Sequence, residues 1–392
     1  VMASRTAVPA LVAGMLATGI CNSIFNKYQD MQCVAHCDDP DPQRRTDFTQ
    51  PVWQTLQMFL GESICLLPVG ARLLWEYRKK QGQYSAVALQ DPEPDADQGN
   101  VELQEHEAVG LAAQPKEMQG RAILLFFTPA LCDIIGTSLM NVGLLFTPVS
   151  IYQMTRGALV LWVGVFSVIF LRRHLFLFQW VCLAMVMLGV SIVGLSGTLI
   201  SSSTSDAPSR PDDDLPPATQ AILGVLLILF AQIFTATQFV LEEKIMSKYT
   251  VEPLLAVGYE GIFGFSTTLV GMIFLHYFIG KTPDGKGGPF DLHAGWSQII
   301  SVPAILYSSV AIALSIAFFN FFGLSVTRTV SATARSTIDT CRTLGIWIVS
   351  LLVGWEVLLP LTGSLQCLGF IFLVTGTMVF NGVVRPPRFL RP

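Results

Sequence analysis

Seven ionisable side chains stand inside otherwise apolar runs of this 392-residue chain: Glu62, Asp133, Arg156, Glu260, Arg335, Asp339 and Arg342. Uncharged polar groups accompany them at Asn22, Asn141, Gln153, Gln232, Gln238 and Asn320. An ionised group at mid-bilayer costs about 2.5–3.5 kcal/mol on insertion scales, so each needs a partner or a water-filled cavity. Residues of these types suit two tasks. A carboxylate in a low dielectric can load and release a proton, and a guanidinium can hold an anionic group or balance an acid.

Spacing narrows the assignments. Arg335, Asp339 and Arg342 lie four and three residues apart, on one helix face, so Asp339 can pair with either arginine. That trio reads first as an internal ion pair that fixes packing. Gln153 and Arg156 share a face in the same way. Glu260 has no base within one turn and reads first as a proton carrier. Glu62 also lacks a nearby base, and both it and Arg156 fit packing and function equally. Glu242 and Glu243 read as the interfacial end of a helix.

The elements that must position these groups follow from composition. The chain is 52% hydrophobic and 13% charged, about half the charge of a soluble domain, with mean hydropathy +0.54. Residues 76–120 hold nine acids and four bases, a net of −5, which accounts for the whole formal charge of −4. The acidic balance therefore describes one loop and implies no acidic or basic partner. There is no basic face for nucleic acid. Elsewhere the apolar runs are long enough for a bilayer of about 30 Å. The fold class expected is an all-α polytopic membrane protein with spans at 6–26, 52–75, 121–145, 149–171, 175–197, 218–241, 253–280, 299–323, 328–353 and 357–382. The first run also fits a signal peptide, but its loss would leave nine spans and an unpaired half, so a retained helix is expected.

With both termini cytosolic, fifteen Lys and Arg residues near helix ends face the cytosol and six face the other side, which favours that orientation. Five spans precede the Ser-, Pro- and Asp-rich stretch 198–217 and five follow it. An odd number inverts the second half, giving repeats over 6–197 and 218–382 joined by a lumenal linker. One offset of 179 residues maps Asn141 and Arg156 onto Asn320 and Arg335, and Glu62 and Glu260 occupy equivalent helices beside Gly61 and Gly261.

Loop 76–120 is expected to be disordered and cytosolic, because it lacks the large apolar residues needed to offset ordering entropy. Cys33 and Cys37, in the first loop, are a possible disulfide if that loop meets an oxidising compartment. His36 between them makes at most a weak metal site, so no metal and no cofactor is expected. The histidines are scattered, and there is no His-Glu-x-x-His, Gly-x-Gly-Asp or P-loop motif, so enzyme chemistry has no foothold.

Several segments together carry a resemblance: Met58-Phe-Leu-Gly-Glu62, Pro129-Ala-Leu-Cys-Asp133 with Gly136-Thr-Ser-Leu-Met140, Gln153-Met-Thr-Arg156-Gly157, Leu241-Glu-Glu-Lys244, Ala256-Val-Gly-Tyr-Glu260-Gly261, Ala317-Phe-Phe-Asn320, and Asp339-x-x-Arg342 leading to Gly354-Trp-Glu356. In order and over almost the whole chain, they resemble the F subfamily of solute carrier family 35, in the drug/metabolite transporter superfamily. The resemblance implies ten helices in two inverted five-helix repeats and alternating access. It also implies kinship with nucleotide-sugar carriers and with the vacuolar chloroquine-resistance transporters, and a home in lysosomal or mitochondrial membranes. The chain lacks the lysine-containing motif associated with nucleotide-sugar carriers, which turns the expectation toward a small metabolite moved with protons.

The function expected is secondary active transport of a small organic metabolite across an endomembrane, lysosome or vacuole first and mitochondrion or Golgi next. The partners are the substrate, the lipid bilayer and protons. The substrate and proton site would draw on Glu62, Asp133, Asn141, Gln153, Arg156, Glu260, Asn320, Arg335, Asp339 and Arg342. Two alternatives stand beside it: a nucleotide-sugar or organic-anion antiporter, and a non-transporting scaffold that recruits partners through loop 76–120.

Overall fold

The computed structural model describes residues 7–37, 45–87, 116–118, 120–146, 152, 155–204, 217–283, 285–355 and 360–385. The chain is a bundle of helices: α1 (Val8–Asp30), α2 (Pro51–Ile64), α3 (Leu66–Val87), α4 (Phe127–Phe146), α5 (Leu159–Leu171), α6 (Leu177–Thr204), α7 (Pro217–Lys248), α8 (Pro253–Leu275), α9 (Leu292–Ser301), α10 (Pro303–Thr329), α11 (Ala332–Val353) and α12 (Pro360–Phe380). Among the described residues, eight helices are long and apolar enough to cross a membrane. Two shorter apolar helices, Leu159–Leu171 and Leu177–Val193, pack among them. Large apolar side chains such as Leu352 and Tyr307 remain exposed on the outer faces, where lipid rather than water would cover them.

The helices pair along their lengths: α6 with α12, α4 with α7, α1 with α10 and α2 with α8. Glycines allow the closest approaches. Gly189 of α6 faces the carbonyl of Gly369, and Gly369 of α12 faces the carbonyl of Gly189, so a side chain at either position would meet backbone.

At one end, the strands β1 (Cys33–Ala35) and β2 (Thr46–Asp47) pair antiparallel, and Cys33 is joined to Cys37. Phe48, Ile299 and Ile305 form a buried cluster there with Val34 and Trp53. We call this the disulfide end. At the far end, β3 (Lys116–Glu117) pairs parallel with β4 (Tyr249–Thr250), between α7 and α8.

Several boundaries differ from the sequence reading, each for a local reason. The second span breaks at Cys65, because Pro68 has no N–H to bond Ile64 and its ring would clash there. The helix then resumes and runs to Val87, so residues 76–87, expected as disordered loop, are helical. Residues 88–115 lie outside the described residues. The stretch expected as linker from 198 begins as helix, since α6 reaches Thr204. Residues 205–216 are not described. Ser331 separates α10 from α11, its Oγ accepting the Ala334 N–H at 3.0 Å as an N-cap. Most consequentially, α7 does not end near 241 but continues through Glu242-Glu243-Lys244 to Lys248.

Candidate substrate and proton site

A hydrogen-bonded line of side chains crosses the bundle through four helices. Asn320 of α10 donates from Nδ2 to Glu62 Oε1 of α2 at 2.5 Å, and its Oδ1 accepts from Arg335 Nη2 of α11 at 3.5 Å. Arg335 Nη1 pairs in turn with Glu242 Oε2 of α7. Burial is nearly complete: Glu62 is 2% exposed, Glu242 0% and Arg335 1%. The guanidinium also lies 4.1 Å from the ring centroid of Phe239, one turn before Glu242. Room for it depends on Gly323, where an added Cβ would lie 2.8 Å from Arg335 Nε.

Two further carboxylates face this line. Asp133 of α4 accepts from Thr137 Oγ1 at 3.3 Å and is only half-buried. Glu260 of α8 is 6% exposed, and its Oε1 has no hydrogen-bond partner among the described residues. Glu62, Asp133, Glu242 and Glu260 all lie within electrostatic reach of Arg335. One guanidinium can neutralise one of four carboxylates. The remaining charge must be balanced by protons, a cation or water.

A second ionic group lies nearer the disulfide end. Arg342 Nε is 3.3 Å from Asp339 Oδ1, and the Arg342 guanidinium sits 5.0 Å from the Phe319 ring centroid. Arg156 stands within electrostatic reach of Arg342. Of the two pairings open to Asp339, the structure makes the one to Arg342 and leaves Arg335 to Glu242.

Beside these groups a cavity of about 150 Å³ is lined by Asn22 and Asn26 of α1, Gln54 and Thr55 of α2, and Thr137 and Asn141 of α4. Met58, Ile312 and Ile316 complete its apolar side. Three of the lining residues lie one helical turn from the ionic line: Met58 from Glu62, Ile316 from Asn320, and Thr137 from Asp133. Both α2 and α10 run away from the disulfide end while α4 runs toward it, so all three steps lead the same way, about 6 Å deeper. The cavity is therefore at the disulfide-end side of the carboxylates.

On the other side ion pairs join the helices. Arg173, just past α5, pairs with Glu243 Oε1, while Glu243 Oε2 accepts the Ala332 N–H of α11 at 2.7 Å. Arg72 Nη2 lies 3.1 Å from Glu252 Oε2.

Of the residues predicted from sequence, Glu62, Asp133, Glu260, Asn320 and Arg335 come together. Asn141 lines the cavity, and Arg156, Asp339 and Arg342 form the second group. Gln153 lies outside the described residues. Gln232 is buried but donates within its own helix, to the Ile228 carbonyl at 3.4 Å. The expectation of an interfacial Glu242 and Glu243 is corrected: both are buried, because α7 runs on between α5 and α11. The signal was present in Leu241-Glu-Glu-Lys244, where one of two adjacent acids on a continuing helix has to face inward.

Comparison with known proteins agrees with this architecture. The family model described as nucleotide-sugar transporter matches residues 113–318. Human solute carrier family 35 member F6 is 37% identical over 374 residues, covering 95% of this chain and 88% of that protein. The mouse protein of the same name is 36% identical over 376 residues, with the same coverage. An uncharacterized protein of Schizosaccharomyces pombe is 36% identical over 375 residues, covering 95% of this chain and 97% of its own. A crystal structure whose description names no activity superimposes with TM-score 0.57 at 9% identity, over 97% of this chain and 99% of that one, and so supports the fold alone. The human and mouse relatives are solute carriers by name, transporters rather than enzymes. With its apolar helices, its inward-facing charges and this degree of identity, the chain belongs to solute carrier family 35, in the F subfamily, as an integral membrane transporter.

Proposed function

We propose that the protein is a secondary active transporter that moves a small organic metabolite across an endomembrane by alternating access, coupled to protons or by exchange. The observation that carries this reading is the line Glu62–Asn320–Arg335–Glu242, which ties helices of both halves together directly beneath a polar cavity.

The helix pairing supports ten spans in two inverted five-helix repeats. Let α1, α2, α4, α5 and α6 correspond to α7, α8, α10, α11 and α12. Under that exchange α4 with α7 becomes α10 with α1, α5 with α7 becomes α11 with α1, and α2 with α10 becomes α8 with α4. The pairs α2 with α8, α5 with α11 and α6 with α12 map onto themselves. Such a pattern is what a pseudo-two-fold axis between the halves requires. The cavity on one side and the ionic closure on the other fit one of two alternating states.

The test is uptake into proteoliposomes under an imposed pH gradient, comparing the wild type with Glu260→Gln. Gradient-driven accumulation of a metabolite by the wild type, lost in a variant that keeps its melting temperature, is the expected result. Unchanged pH dependence in the variant overturns the role of Glu260. A second reading, exchange of nucleotide sugars or other organic anions, is favoured by the family description and by the proximity of Arg156 to Arg342. It would show as trans-stimulation by the matching nucleotide without dependence on the gradient.

A further inference from the structure

Charge balance around the cavity bears on what the carrier accepts. The polar lining is all neutral among the described residues: four amides and two threonines. These donate and accept equally, and so suit a hydrated or polar ligand of either sign. Sign is decided one turn deeper. There Glu62, Asp133, Glu242 and Glu260 share Arg335, while Asp339, Arg342 and Arg156 form the neighbouring group. Written with every group ionised, the two sets carry five negative and three positive charges. Among the described residues Glu260 presents a buried oxygen without a partner, and half-buried Asp133 is reached from the cavity through Thr137, which both lines it and bonds the carboxylate. A ligand bearing a diphosphate would add two negative charges to a region already short of positive ones. A ligand bearing an ammonium group would supply what the carboxylates lack.

We infer that the cavity between α1, α2, α4 and α10 binds a small amine in its cationic form, with the amide-lined wall holding its polar body and the ammonium directed at Asp133 and the carboxylates beneath Thr137. This deepens the transporter reading and rests on it for the meaning of the site. An ammonium there takes the place of a proton in balancing the carboxylates, so amine and proton compete for the same charge deficit. Exchange of an amine against protons then follows from one cluster, without a separate coupling site. Asn320 transmits the change: its amide touches both Glu62 and Arg335, so the charge state on one half is felt on the other.

The test uses full-length protein in nanodiscs and three probes of one size and differing charge: 1,5-diaminopentane, 1,5-pentanediol and glutarate, with UDP-glucose as a fourth. Binding is read by calorimetry and flux separately in proteoliposomes. The diamine should bind at least ~10-fold more tightly than the diol. It should lose ~10-fold in affinity in Asp133→Asn, and should release protons on binding, seen as a dependence of the heat on the buffer used. Thr137→Val, which keeps the shape and removes the hydroxyl, should weaken the diamine more than the diol. Glutarate or UDP-glucose binding as tightly as the diamine overturns the inference and leaves the transporter reading intact. Failure of the diamine to bind protein that melts cooperatively overturns it too. Tight diamine binding with no flux of any probe upholds the site and counts against transport, so the two readings fail separately.

Discussion

At the disulfide end the helices meet through amides and hydroxyls, with the Asp30 carboxylate as an acceptor, whereas at the far end they meet through pairs of opposite ions. In the first region Gln29 Nε2 donates to Ser309 Oγ at 2.9 Å and to the Ile305 carbonyl at 3.3 Å, Gln54 donates to Asp30 Oδ1 at 2.6 Å, and Ser315 donates to Asn22 at 3.1 Å. In the second, Arg173, Arg335 and Arg72 face Glu243, Glu242 and Glu252, and Glu243 also holds the first turn of α11. An amide hydrogen bond contributes about 1 kcal/mol net and can be traded for water or for a ligand's polar group. Parting a buried ion pair leaves a charge that nothing offsets. The comparison teaches which end can hydrate at low cost and which can part only when another charge arrives.

The comparison breaks most severely at Arg335. Arg335→Ala should cost about 3–5 kcal/mol, because Glu242 stays buried without its partner. A thermal melt in detergent should show a large loss, and Arg335→Ala combined with Glu242→Ala should recover part of it. A single variant as stable as wild type would mean that the charged end is not held by its ions. Next is Glu243→Ala, which removes both the Arg173 pair and the acceptor of the Ala332 N–H. A hydrogen bond to a charged group is worth about 1.5–3 kcal/mol, and a loss of that order is expected. Faster labelling of a cysteine placed at Ser336 by a reagent added from the far side would locate the change.

The disulfide end should respond to pH through its loop. Asp291 caps α9, accepting from the N–H groups of His293 at 3.1 Å and Ala294 at 3.3 Å, and from Gly287 at 3.0 Å. The Gly287 N–H, followed by those of Ala294 and His293, holds the carboxyl below its usual range. A depressed carboxylate stabilises the fold above the unfolded pKa of about 3.9 and loses that contribution as pH falls through the lower folded value. Asp291→Ala should therefore cost about 1 kcal/mol at neutral pH and progressively less in acid. The smallest effect belongs to Arg72→Ala. The exposed pair with Glu252 is worth about 0–1 kcal/mol and should fade with added salt. A larger loss there would move the seal outward from Glu243.

Much of this was legible in the chain. An ionisable residue in an apolar run has few places to go, so Glu62, Asp133, Glu260 and Arg335 identified themselves as inward-facing before any helix was placed. What sequence could not supply was which partner each would take. Helical spacing offered Asp339 two arginines, and only the position of α7 assigns Arg335 to Glu242 instead. That position depended on where α7 stops, and a pair of glutamates beside a lysine looks like a stop. The cavity was legible only in part: Asn22 and Asn141 stood out as polar groups in apolar runs, whereas Asn26 and Gln54, nearer helix ends, carry no signature of a ligand. Cys33 and Cys37 were legible as a possible pair, and the structure joins them.

Glu242 and Glu243 are neighbours on one helix, about 100° apart around its axis, so they address different partners from one rigid point. The first holds the guanidinium at the centre of the bundle, the second the arginine and helix end that close its far side. Neither contact can be released by moving α7 while the other is kept. Displacement of that helix would carry two carboxylates past two guanidiniums in a single step. In an oriented bilayer such a step has an electrical signature, a transient current whose size reports how much charge crosses the field, and it would be measurable with no substrate present.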